Sequence, residues 1–121
     1  MIDLKPEILQ ALRGNIALVE LLGGPKVWPE VAPESTKEPY ITFFELVNVD
    51  DQYADDKAYA SEIHYQVDVW SKGNTGPIAI EVNKTMEALG FYRTGAVDLY
   101  EDDTKTYHKA LRYKINRTIK E

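Results

Sequence analysis

The feature that most constrains the fold is a run of strict alternation between Glu62 and Trp70. Successive side chains of an extended chain point to opposite faces, so alternation over this length predicts a half-buried strand. The core-facing positions are Ile63, Tyr65, Val67 and Val69. The opposite face carries His64, Gln66, Asp68 and Trp70. The pattern therefore predicts a sheet with one face in the core and a second face available for contacts.

The remaining elements follow from helical spacing and turn residues. The N-terminal segment predicts either two short helices or one kinked helix: the first part begins at about Lys5, and the second is capped by Asn15 and ended by Gly23-Gly24-Pro25. A later helix carries apolar residues from Ile78 to Leu89. Strands are predicted at about 40–49, 62–70, 91–100 and 106–119, whereas the Pro-rich stretch 27–39 is expected to be irregular. We expect a single α+β domain over residues 1–121, with a small antiparallel sheet of about four strands flanked by N-terminal helices and one crossover helix.

Composition excludes several classes of protein. The 121 residues include no Cys, which rules out disulfide frameworks, thiolate zinc sites and cysteine nucleophiles. The formal charge of −6 argues against a specific nucleic-acid reader, because such proteins neutralise phosphates with Lys and Arg. No apolar run approaches the roughly 18 residues of a membrane span, and the N-terminus has no signal-peptide pattern. We expect neither a membrane nor a nucleic acid as a binding partner.

The charge is unevenly distributed along the chain. Six of the 14 basic residues fall between Thr104 and the C-terminus, opposed there by Glu121 alone. Acidic residues cluster in two predicted loops: Asp50, Asp51, Asp55 and Asp56 in the first, and Glu101, Asp102 and Asp103 in the second. Such asymmetry bears on association and steering rather than on fold.

The candidate chemical sites are weak. The glycine-rich turn at Lys72 lacks the Lys-Ser/Thr pair of a nucleotide loop, and Pro77 removes one backbone donor, so an ordinary turn is favoured over phosphate binding. A metal site from Glu62, His64 and Asp68 would require ligands from other strands, because residues two apart on a strand face lie about 7 Å from each other. No serine lies in a nucleophile turn and neither histidine has a motif-defined partner. We expect no enzyme activity, no cofactor and no metal.

The aromatic residues indicate contacts with other proteins. Trp70 lies on the polar face of its strand, where an apolar body with one hydrogen-bond donor suits a protein interface. The alternative is that Trp70 packs under the segment from Trp28 to Pro39 as a second small core. The sequence leaves both interpretations open.

Several segments together resemble one protein family. They are Leu21-Leu22-Gly23-Gly24, Val27-Trp28-Pro29-Glu30-Val31-Ala32-Pro33, Glu38-Pro39-Tyr40-Ile41, Tyr65-Gln66-Val67-Asp68-Val69-Trp70, Met86-Glu87-Ala88-Leu89-Gly90 and Tyr107-His108-Lys109-Ala110-Leu111-Arg112-Tyr113. In order and spacing they resemble the tail completion, or tail terminator, proteins of long-tailed phages and prophages. The resemblance spans nearly the whole chain and offers no catalytic residues to carry over.

The resemblance implies a structural virion protein at the junction of tail and head, assembled in the host bacterial cytoplasm. It implies a ring, a hexamer in such phages, that caps the tail tube and meets a head completion or connector protein. The family's contact residues vary, so none is carried over; the aromatic and charge patterns of this chain alone suggest an interface at Trp28, Trp70, Arg112 and Lys114. If the two acidic loops line the channel of such a ring, they would repel DNA phosphates. We expect a monomer or weak oligomer in dilute solution and a ring on the tail.

Two other functions remain open on sequence grounds. A head–tail connector or minor capsid protein would share the size and the lack of active-site motifs. A small bacterial enzyme is less favoured, and would require a deep pocket around His64 or His108.

Overall fold

The computed structural model describes residues 1–50, 53–54, 57–58 and 60–118. The helices are α1 (Lys5–Arg13), α2 (Ile16–Leu22) and α3 (Gly76–Ala88). The strands are β1 (Val27–Pro29), β2 (Tyr40–Asp50), β3 (Tyr53–Ala54), β4 (Lys57–Ala58), β5 (Ala60–Ser71), β6 (Tyr92–Glu101) and β7 (Thr106–Thr118). Within these ranges, no helix is long and apolar enough to cross a membrane.

Five strands form one sheet in the order β1-β2-β5-β7-β6, and β3 and β4 form a separate two-stranded ladder. β1 runs parallel to β2, and every other neighbouring pair is antiparallel. β5 lies at the centre, with the registers Tyr65↔Tyr113 toward β7 and Glu45↔Tyr65 toward β2. One-residue bulges interrupt β2 at Leu46 and β6 at Thr94.

Helix ends follow local sequence signals. The side chain of Asn15 accepts a hydrogen bond from the Leu18 N–H at 3.0 Å, which satisfies one of the free donors at the start of α2. Gly23 ends α2 at φ 78°, in the left-handed region that glycine adopts at low cost. α1 and α3 each carry a proline in the first turn, where a missing N–H costs nothing.

All three helices pack against one face of the sheet and bury it. Phe43, Tyr65 and Tyr113 have no exposed surface there, and the helices contribute Ile8, Leu18 and Met86, also fully buried. The odd positions of β5 point into this core, as the alternation predicts. We call this side of the sheet the covered face.

The predicted α+β class and the crossover helix are confirmed. The sheet has five strands instead of about four, because residues 27–29 of the Pro-rich stretch form β1 along the first residues of β2. That pairing also makes the sheet mixed instead of wholly antiparallel. The prediction that the last strand reaches Ile119 falls outside the described residues.

Candidate docking face of the sheet

None of the described helices lies on the side of the sheet opposite the core, and we call this side the helix-free face. Its residues alternate with those of the covered face along each long strand, as the registers require. The central strands contribute Glu62, His64, Gln66, Asp68 and Trp70 from β5, and Thr106, His108, Ala110, Arg112 and Lys114 from β7. The flanking strands contribute Trp28, Tyr40, Thr42, Phe44, Val47, Tyr92, Gly95, Val97, Leu99 and Glu101.

A buried histidine joins three strands on this face. His108 Nε2 lies 2.7 Å from Asp68 Oδ1, and His108 Nδ1 lies 3.1 Å from Glu101 Oε1. Only 10% of the His108 side chain and 6% of the Asp68 side chain are exposed. Since carboxylates only accept hydrogen bonds, this geometry suits an imidazole that donates from both nitrogens. Asp68 also accepts a bond from Gln66 Nε2 at 2.8 Å, so its charge is held by two donors.

Aromatic rings extend this cluster across the sheet. The Trp70 ring stacks on the His108 ring at 3.8 Å between centroids and 16° between planes. Tyr40 stacks on the other side of Trp70 at 6.1 Å, and Trp28 meets Tyr40 edge-on at 6.5 Å. The indole N–H of Trp70 donates to Thr42 Oγ1 at 3.0 Å. The result is a continuous row of ring contacts from Trp28 to His108, anchored to the sheet by the Trp70–Thr42 hydrogen bond.

A second polar cluster occupies the other end of the face. Glu62 bonds to His64 Nε2 at 3.0 Å through one oxygen and to Lys114 Nζ at 3.0 Å through the other. These hydrogen bonds, first that of His64 and then that of Lys114, hold the pKa of Glu62 below its usual range. The same bond to Glu62 raises the pKa of Lys114. Nearby, Arg112 Nε donates to Gln66 Oε1 at 3.1 Å.

The four predicted interface residues share this face. They belong to three strands, and each lies in a different row of paired residues across the sheet: Trp28 on β1, Trp70 on β5, and Arg112 and Lys114 on β7. Arg112 is exposed and the other three are half-buried. A groove of about 280 Å³ runs beside Trp70, bounded by Glu30 to Thr36. Trp70 therefore borders the Trp28–Pro39 segment, as the small-core interpretation predicts. It is also half-buried on the helix-free face, where the interface interpretation places it.

The predicted acidic loops lie apart. Asp50 pairs with Ser61 at the start of β5, whereas Glu101 pairs with Thr106, beside the end of β5. The described acidic residues of the two loops are thus at opposite ends of the sheet. Asp102 and Asp103 occupy the turn between β6 and β7, and Glu101 is tied to His108. Asp51, Asp55 and Asp56 fall outside the described residues.

The glycine-rich turn and His108, both considered from the sequence, line one cavity of about 550 Å³ together with Asp98, Leu99 and Tyr107. Lys72 bonds to the carbonyl of Thr104 and lies 3.4 Å from Glu38 Oε2, so its charge is engaged within the protein. Both nitrogens of His108 face carboxylates, which leaves neither available for a substrate. Across the ranges that the structure describes, no group of three or more potential ligands is arranged to hold a metal ion.

Sequence reasoning did not identify the cluster of His108, Asp68 and Glu101. His108 and Asp68 are 40 residues apart and meet because of the register between β5 and β7. One sequence signal did bear on the cluster: Asp68 and Trp70 are two residues apart on β5, so both were predicted to lie on its polar face. Nothing local indicated that their partner would come from β7.

Two comparisons with known proteins bear on this fold. Residues 6–116 match the model of the family described as "Tail completion protein gp17". A solved chain from the virion of a native gene transfer agent particle shares the fold, with a TM-score of 0.70 and 14% sequence identity. The match covers 93% of this chain and 92% of that one. No curated protein matches the sequence.

The family match spans most of the chain and confirms the resemblance drawn from the sequence segments. It includes β1, β2, β5 and β6 of the sheet, β7 up to Asn116, and all of α2 and α3. The protein is therefore a structural component of a phage-like virion tail and belongs to the Tail completion protein gp17 family.

Proposed function

We propose that the protein ends the tail tube and joins the tail to the head as a hexameric ring. The observation that carries this function is the family match over residues 6–116, since tail completion is a role at the end of tail assembly. The fold agrees with a role based on contact, because a broad sheet face is left without a helix. Its partners are further copies of itself, the tail tube protein and a head completion or connector protein.

The helix-free face is suited to contact another protein. Its aromatic and polar groups are already oriented by the Trp70–His108 stack and the Glu62–Lys114 ion pair, so docking would order few additional side chains. Arg112 is exposed on it, which offers a cation to an acidic neighbour. We propose Trp28, Trp70, Arg112 and Lys114 as the contact residues of this face.

The acidic turns fit the openings of a channel. If the strands run along the ring axis, Asp50 lies toward one opening, and Glu101, Asp102 and Asp103 lie toward the other. Carboxylates at the openings would repel DNA phosphates and discourage binding during passage of the genome. We extend this role to Asp51, Asp55 and Asp56 on sequence grounds alone.

The test is to image particles produced without this protein. Overlong tails, or tails of normal width that are not joined to heads, are expected if it terminates and joins. Filled heads that leak their genome would assign it to the head side as a connector or minor capsid protein. Normal, joined particles would refute both roles.

A matched pair of variants tests the docking face in the same assay. Arg112→Glu reverses an exposed charge on the helix-free face, whereas Lys84→Glu reverses an exposed charge on α3, behind the covered face. We expect the first variant to reduce the fraction of joined particles and the second to leave it unchanged. Equal effects would contradict a specific role for this face.

A further inference from the structure

The exposed apolar side chains of the sheet are concentrated at two places. Apart from Tyr107, the large hydrophobic residues of the main sheet that are exposed belong to β2 beyond Phe43 or to β6. They are Leu46, Val47 and Val49 on β2, and Tyr92, Val97, Leu99 and Tyr100 on β6, each 37–51% exposed. These two segments lie on opposite sides of the sheet, and the central strand β5 contributes none.

Both segments are also free backbone edges. β6 is at the end of the strand order and, within the described ranges, pairs with β7 alone. β1 covers β2 only from Ile41 to Phe43, so among the described residues β2 has no strand on its outer side from Phe44 to Asp50. An edge of this kind presents unpaired N–H and C=O groups that can pair with another chain.

The third edge differs from these two. The outer side of β1 is closed by Arg13 of α1, whose Nε and Nη2 donate to the Val27 carbonyl oxygen at 3.0 and 2.6 Å. A side chain that caps a carbonyl in this way protects an edge from further pairing. No equivalent cap from a described residue reaches the backbone of Phe44–Asp50 or of β6.

The two free edges are complementary. The registers place Glu45, Tyr65, Tyr113 and Arg93 in one row across the sheet. The next row on the helix-free face ends in Phe44 on one side and Gly95 on the other. A Cβ added to Gly95 would meet no atom within 4 Å, so space for an aromatic side chain exists beside it. In another row of this face, which contains His64 and Lys114, the residues at the two free edges are Val47 on β2 and Tyr92 on β6.

We propose that β6 of one copy pairs antiparallel with the outer half of β2 of a second copy, side by side in the ring. This rests on the proposed ring function and adds the surfaces that close it. Copies related by rotation about an axis along the strands bring β6 beside β2 in antiparallel orientation, because β6 runs parallel to β5 and opposite to β2. The pairs across the contact are then Arg93 with Glu45, Gly95 with Phe44 and Tyr92 with Val47.

The contact is heterologous, since two different edges meet. Such contacts continue from copy to copy until they close into a ring. Opposite charges in directly facing positions stabilise a strand pair, and like charges destabilise it. A pairing of β6 with β6 of the other copy would form a two-fold dimer and leave both β2 edges unused.

The test uses cysteine pairs, because the native chain has no Cys. Facing residues of antiparallel strands lie about 4.5–5.5 Å apart at Cα, which is within disulfide range. Mixed Glu45→Cys and Arg93→Cys chains should form a disulfide between the two variants under mild oxidation. The doubly substituted chain should form a ladder of linked copies that ends at the ring size.

The control pair is Glu20→Cys, on the exposed side of α2, mixed with Arg93→Cys. It should give no linked product above background. A disulfide between two Arg93→Cys chains would instead show β6–β6 pairing and overturn the proposal. Absence of the Glu45–Arg93 link, both in free protein and on assembled tails, would also overturn it.

A charge exchange provides a test without cross-linking. Glu45→Arg or Arg93→Glu alone should weaken self-association by about tenfold, and the double exchange should restore it to within about threefold. Sedimentation velocity over a concentration series measures this. Suppose that the Glu45 and Arg93 charge changes leave self-association unchanged, while particles made without the protein have unjoined tails. The proposed edge contact is then wrong, and the joining function stands. If tails join normally without the protein, the joining function is wrong whatever the cross-links show.

Discussion

On the covered face, Phe43 and Tyr65 are fully buried beneath helices, whereas on the helix-free face His108 and Asp68 are almost as buried with no helix above them. The first group is kept from water by a second layer of apolar side chains. The second is shielded by neighbouring side chains of the same sheet, chiefly the Trp70 ring and the Glu101 carboxylate. The difference shows that side chains of one sheet face can bury and hydrogen-bond each other without a covering helix.

The largest expected effect comes from the covered face. Phe43→Ala should lower the free energy of unfolding by about 3–5 kcal/mol, because it removes a fully buried ring and leaves a cavity. Phe44→Ala is the matched control, one residue along on the half-exposed helix-free side. It should cost less than about 2 kcal/mol. Urea unfolding measures both, and equal losses would contradict the assignment of the two faces.

The second effect tests burial on the helix-free face. His108→Ala should cost about 3 kcal/mol, because it leaves the Asp68 carboxylate buried without its nearest partner. Combining His108→Ala with Asp68→Ala should cost less than the sum of the single losses, since the second change removes the unpaired charge. Additive losses would show that the two groups do not interact.

A smaller effect compares two tyrosines on the covered face. The Tyr65 hydroxyl is buried and has no hydrogen-bond partner among the described residues, whereas the Tyr113 hydroxyl donates to Asn83 Oδ1 at 2.9 Å. Tyr65→Phe should therefore raise the free energy of unfolding by about 1 kcal/mol, and Tyr113→Phe should lower it by about 1 kcal/mol. Thermal unfolding with the same sign for both variants would contradict this difference in hydrogen bonding.

The smallest effect concerns pH. Because hydrogen bonds from His64 and Lys114 lower the pKa of Glu62 in the folded protein, this carboxylate contributes stability above its unfolded pKa. The contribution is lost as the pH falls through the lower, folded pKa. Glu62→Gln should be less stable than the native protein at neutral pH, and the gap should close in acid. Urea unfolding over a pH series tests this, and a gap that widens in acid would reverse the sign.

The sequence was sufficient where structure depends on local periodicity. The alternation of β5 predicted its buried positions, and Asn15 and Gly23 predicted the ends of α2. β1 was missed because three residues beside Pro29 are too short for a pattern, and their strand geometry comes from pairing with β2. The aromatic content indicated a contact surface, but its composition depends on registers between distant strands. The stack of Trp70 on His108 is one example.

The position of β7 has a consequence for synthesis of the protein. This last strand lies between β5 and β6, and it contributes Leu111 and Tyr113 to the core. While residues 106–118 are still within the ribosome, β6 has no neighbour and β5 is open on one side. Cooperative folding of this sheet therefore waits until β7 has emerged from the ribosome. Prematurely terminated chains lack the strand that holds β6 to the sheet, and they cannot enter a particle as native subunits.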